Sequence, residues 1–111
     1  MSSTQELKRL KVKTGVVQRI VKDLNVTKAE IEAQVAKVEK MKAEQADIYD
    51  IKKQEEVLAE CTSSRPQDEE RLAKALDDLT RTVDEVRDSP EFDDLKETEE
   101  FKGAAALVGA K

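Results

Sequence analysis

The chain has 111 residues, with 41% charged side chains against 3% aromatic ones, a formal net charge of −5, and neither histidine nor tryptophan. This length allows one small domain with a thin core, and without histidine the chain lacks the side chain that most often moves protons near neutral pH. The single cysteine, Cys61, excludes an internal disulfide and fits a reducing compartment.

No glycine occurs between Gly15 and Gly103, and the only prolines are Pro66 and Pro90. Glycine and proline punctuate loops, so the spacing predicts a few long helices. In the first half Leu10, Val17, Leu24, Ile31 and Val38 recur every seven residues, with Ile20, Val21, Val35 and Met41 beside them. That is a coiled-coil seam. It predicts a first helix over about residues 4–45, capped by Thr4 and roughly 60 Å long. Gly15 inside it costs about 1 kcal/mol against alanine.

A tight turn is expected near Ala46, although no glycine stands there. Asp47 is placed to accept from the free N–H groups of a second helix, and Asp50 adds negative charge to its first turn. Two heptad series, Ile51-Leu58-Arg65-Leu72-Leu79-Val86 and Ile48-Glu55-Thr62-Glu69-Leu76-Val83, keep register across Pro66. The second helix is therefore expected to run over about 47–88, kinked where Pro66 removes one backbone donor. The alternative is a break at Thr62-Ser63-Ser64 with Ser64 as a new cap. Ser89-Pro90 suits the start of a third helix over about 90–108. The expected fold is all-α: one domain, residues 1–111, an elongated antiparallel three-helix bundle with coiled-coil packing. Basic residues 8–22 should then lie beside acidic residues 77–88, a pairing that opposes a parallel arrangement.

Catalysis finds no footing. The lone thiol has no base partner, and no phosphate-cradling loop or metal-ligand pattern is present. No cofactor or metal is expected, and the chain is read as no enzyme. The basic stretch could track phosphates, but the negative net charge and scarce aromatics favour a helix face neutralised by its acidic neighbour. No nucleic-acid partner is expected. Nor is a membrane partner, since the longest apolar run, residues 104–108, is far short of a bilayer span and the N-terminus lacks a secretory stretch. Cys61 reads as a half-buried helix residue. Tyr49 either covers the hairpin end or belongs to a partner-binding surface. Long charged helices without an active site generally hold other proteins.

Two segments carry a resemblance. Leu10-Lys11-Val12-Lys13-Thr14-Gly15-Val16-Val17, followed by Arg19-Ile20-Val21-Lys22, is similar to the basic opening of the tubulin-binding cofactor A family. Met41-Lys42-Ala43-Glu44, leading into Tyr49-Asp50-Ile51-Lys52-Lys53-Gln54-Glu55-Glu56-Val57-Leu58, resembles that family around its first turn, and Pro66 matches a family proline. The likeness spans most of residues 8–86 and fades after Pro90. Thr62-Ser63-Ser64-Arg65 stands where the family has bulky apolar residues.

The resemblance implies a cytoplasmic, cytoskeleton-associated chaperone, a monomer or weak dimer. It would hold near-native β-tubulin released from the cytosolic chaperonin and exchange it with other tubulin-folding cofactors on the way to the αβ heterodimer. Under this reading Lys13, Arg19 and Lys22 meet acidic patches on β-tubulin, and Tyr49, Lys52, Lys53 and Gln54 form a second contact region. The acid-rich segment from Asp68 to Asp88 is the alternative contact. A coiled-coil structural adaptor is the rival function.

Overall fold

The computed structural model describes residues 3–109. The described residues form five helices and no strand: α1 (Ser3–Ala43), α2 (Ile48–Ser63), α3 (Arg65–Arg87), α4 (Phe92–Leu95) and α5 (Glu99–Gly109). The expected all-α class is what the structure has. The helices gather into two compact units. One joins the residues up to Ile20 with those from Arg71 onward; the other is Val21–Glu70.

Thr4, expected to cap α1, lies inside its first turn, because the helix already includes Ser3. At the other end α1 stops at Ala43, two residues before the expected boundary. The Ala46 N–H bonds the Met41 carbonyl at 3.0 Å and the Gln45 N–H bonds the Lys42 carbonyl at 3.1 Å. This is the Schellman pattern, which needs a left-handed residue at its centre. Gln45 takes that conformation with φ 56°, in the place where glycine is usual. Asp47 then opens α2 in extended geometry (φ −52°, ψ 131°), its carboxylate accepting from the Tyr49 N–H at 2.8 Å.

The second long segment, expected unbroken, is carried as α2 and α3 with only Ser64 between them. Ser64 keeps right-handed helical angles (φ −84°, ψ −12°), and its carbonyl accepts from the Asp68 N–H at 3.0 Å. The chain therefore does not turn extended there, as a fresh cap would require. The interruption has a simple cause. Pro66 has no N–H for the Thr62 carbonyl, and its ring crowds the turn before it.

The third helix departs from expectation. In place of one helix over about 90–108, the structure has α4, a turn at residues 96–98, and α5. Ser89 does bracket the start, its Oγ accepting from the Glu91 N–H at 3.1 Å. Thr98 makes the division. Its Oγ1 accepts from the Phe101 N–H at 3.2 Å and donates to the Leu95 carbonyl at 2.7 Å. It caps α5 ahead of Glu99 and Glu100, whose charges suit a helix N-terminus.

In the first unit Leu10 and Val17 of α1 pack with Leu79, Val83 and Val86 of α3, Leu95 of α4, and Phe101 and Ala104 of α5. Phe92 and Phe101 meet edge to face at 5.3 Å, and the Arg87 guanidinium lies 5.7 Å from the Phe101 ring centre. The pairing of α1 with α3 is antiparallel: Arg9 reaches Glu85 and, one turn on, Lys13 reaches back to Asp78. The second unit is thinner. Val38 is its buried apolar residue, Leu24, Ile31, Ile51 and Leu58 are half-buried, and α2 buries none of its residues. Two helices have no third layer to close over their seam, so the same heptad pattern that is dry in one unit stays half wet in the other.

Candidate partner-binding faces

Along α2 the residues Ile51, Gln54, Leu58 and Cys61 recur at helical spacing and are half-buried. They form the side turned to α1. Gln54 belongs to this side: its carbonyl and its Oε1 both accept from Gln34 Nε2 at 3.0 Å. The opposite side of α2 carries Tyr49, Lys52, Lys53 and Glu56 at i, i+3, i+4 and i+7, all exposed. Tyr49 is 79% exposed and its neighbour Ile48 is 74% exposed. The phenol therefore does not cover the hairpin end. The structure brings Tyr49, Lys52 and Lys53 together on one solvent face and puts Gln54 on the other side, inside the α1–α2 contact.

The basic segment of α1 divides in the same way. Lys13 Nζ donates to Asp78 Oδ1 at 3.0 Å and Arg9 donates to Glu85 Oε2 at 2.8 Å. These two cations face α3, as the expected pairing of basic and acidic stretches requires. The hydrogen bond and charge of Arg9 hold the Glu85 carboxyl below its ordinary range, and Glu85 in turn raises the Arg9 guanidinium further. Arg19 and Lys22 are exposed and have no ion-pair partner among the described residues. Lys13 is thus turned away from the solvent side that Arg19 presents. In the acid-rich segment Asp77 pairs with Arg81 and Asp84 with Arg87, each within α3.

Sequence reasoning passed over several residues on the solvent side of α1. Lys8 and Lys11 are exposed without an ion-pair partner among the described residues, and Val12 is 59% exposed beside them. Their signal was available: Lys8, Val12, Gly15 and Arg19 fall at i, i+4, i+7 and i+11, off the heptad seam. Gln5, Lys8 and Val12 line a shallow depression together with Arg9 and Lys13, so it joins this side to the flank that faces α3. Among the described residues no group of three or more Cys, Asp or Glu is arranged to hold a metal ion. No described helix is long and apolar enough to cross a membrane.

The family model for tubulin binding cofactor A matches residues 5–108, which extends the likeness past Pro90 to within a residue of the end of α5. The human protein named tubulin-specific chaperone A is 41% identical over 102 residues, covering 92% of this chain and 89% of that one. The Arabidopsis thaliana tubulin-folding cofactor A is 40% identical over 97 residues, covering 83% and 86%. Among solved structures, tubulin folding cofactor A from Arabidopsis thaliana overlays with a TM-score of 0.86 at 36% identity, covering 96% of this chain and 95% of that one. The human tubulin chaperone cofactor A overlays with a TM-score of 0.76 at 38% identity. A match of sequence and fold over this much of the chain identifies it as a member of the tubulin binding cofactor A family.

Proposed function

We propose that this chain is a tubulin-folding cofactor that binds near-native β-tubulin and holds it soluble until it is passed on for assembly with α-tubulin. The observation that carries this reading is the family match over residues 5–108. The geometry supports it: the charged helices offer solvent faces on which cations and aliphatic side chains alternate, a surface suited to a protein partner held reversibly. The action is mass action. A protein that binds the unpaired subunit lowers its free concentration and stabilises it by about 2.7 kcal/mol when present at a hundredfold its Kd. In this reading the chain works in the cytoplasm as a monomer or weak dimer and hands its cargo to other tubulin-folding cofactors.

The test is capture by size exclusion, with chaperonin-released β-tubulin and α-tubulin offered in parallel. A discrete complex with β-tubulin alone is the expected result. Equal capture of both subunits would remove the β-specificity, and capture of neither would overturn the reading.

A further inference from the structure

Gly15 stands in the middle of a 41-residue helix, where glycine is the poorest residue short of proline. Its backbone is ordinary, with no positive φ. A Cβ built on it would meet nothing within 4 Å. Neither conformation nor packing within this chain therefore calls for glycine at this place. The remaining physical use of a helical glycine is to let another backbone come close.

What surrounds Gly15 says what comes close. Lys8, Val12 and Arg19 share its side of α1, with Lys11 one turn before it and Val16 adjoining. Val12 and Val16 are 59% and 39% exposed. Arg9 and Lys13 are occupied by Glu85 and Asp78, whereas Lys8, Lys11 and Arg19 have no ion-pair partner among the described residues. The preceding residue adds a second irregularity. The side chains of Thr27, Thr80 and Thr82 all donate to a carbonyl one turn back, but Thr14 Oγ1 is buried with no hydrogen-bond partner among the described residues. Across the groove beside Thr14 stand Glu99 and Glu100. Lys11 lines the same groove, so it stands between these carboxylates and the solvent side, and their charge directs an acidic partner toward Lys8 and Arg19.

We infer that the α1 face centred on Gly15 is a docking surface for a carboxylate-bearing helix of the captured tubulin subunit, packed close over the glycine and flanked by Lys8, Lys11 and Arg19. This rests on the tubulin-binding reading above. The exposed valines supply apolar contact, the three cations fix register by charge, and the missing side chain sets the distance.

The experiment uses the full chain and purified β-tubulin, with three variants: Gly15→Ala, Gly15→Leu, and the double variant Lys8→Glu with Arg19→Glu. Because a Cβ at position 15 meets nothing within 4 Å and both residues form helix better than glycine, Gly15→Ala and Gly15→Leu are expected to melt at the wild-type temperature or a few degrees above it. Gly15→Leu is expected to weaken capture at least tenfold, and Gly15→Ala less. The double charge reversal is expected to weaken it at least tenfold at low salt and to flatten its salt dependence. Wild-type capture left unchanged by Gly15→Leu and by the charge reversal overturns this surface while tubulin binding stands. No capture by the wild type overturns both readings. A monomer–dimer equilibrium abolished by Gly15→Leu, with capture untouched, assigns the face to a second copy of the chain and overturns the proposal.

Discussion

Gln45 closes α1 in a conformation that costs an L-residue roughly 1–2 kcal/mol. It is exposed, and its backbone satisfies the Schellman bonds without help from its side chain. Gln45→Gly should therefore raise stability by about 0.5–1 kcal/mol, read as a higher urea midpoint at unchanged slope. At the other residue-scale feature, Arg9 lowers the Glu85 pKa through a 2.8 Å hydrogen bond and its charge. A depressed carboxyl pKa contributes stability that is present above the unfolded value and lost as pH falls through the folded one. The loss should thus come on the acid side, below about pH 4. Glu85→Gln should remove that part of the slope by lowering stability slightly near neutral pH and converging with the wild type in acid, as thermal melts from neutral pH into the acid range would register. A comparable drop at every pH would mean that the pair matters for packing and not for charge.

At the scale of the element, two interruptions divide what the heptad pattern treats as continuous. Thr98 caps α5 by accepting from Phe101 and closes α4 by donating to Leu95. Thr98→Ala should cost about 1 kcal/mol and loosen the helix that delivers Phe101 and Ala104 to the core; a melt and the loss of Phe101 contacts by NMR would report both. Pro66 works in the opposite sense. It is exposed, and its replacement by alanine restores the regular helical donor to the Thr62 carbonyl, which now accepts from the Ser64 N–H. Pro66→Ala should hold or raise helicity and thermal stability, read by circular dichroism and a melt. Unfolding of that variant would show that the chain needs the interruption at Ser64 and does not merely tolerate it.

For the whole molecule, the uneven distribution of buried residues sets where the chain opens. Leu79, Val83 and Val86 are fully buried in the unit that α4 and α5 complete, while α2 buries none of its residues. Leu79→Ala should cost about 2–5 kcal/mol, and Leu58→Ala, at a half-buried position, only about 1 kcal/mol. Native-state hydrogen exchange should show the amides of 48–63 opening locally, well before those of 79–86. Equal protection in both segments would refute this account of the stability.

Local chemistry made much of this legible in advance. The seam residues Leu10, Val17 and Val38, the cap Asp47, the turn opened by Ser89 and the charge pairing of α1 with α3 follow from side-chain period and from donors that must be satisfied, both of which are written in short stretches of chain. Thr98 was equally readable, as a capping residue before Glu99-Glu100, and was passed over because Ser89-Pro90 already offered a helix start. Tertiary structure decided the rest. It determined that Lys13 is spent on Asp78 and Gln54 on Gln34, that Tyr49 points to solvent, and that Leu24 and Ile31 stay half-wet although they repeat the pattern of Leu10 and Val17. The physical reason is that a heptad records which side of a helix is apolar, whereas burial depends on how many other helices reach that side, and α5 covers only one of the two units.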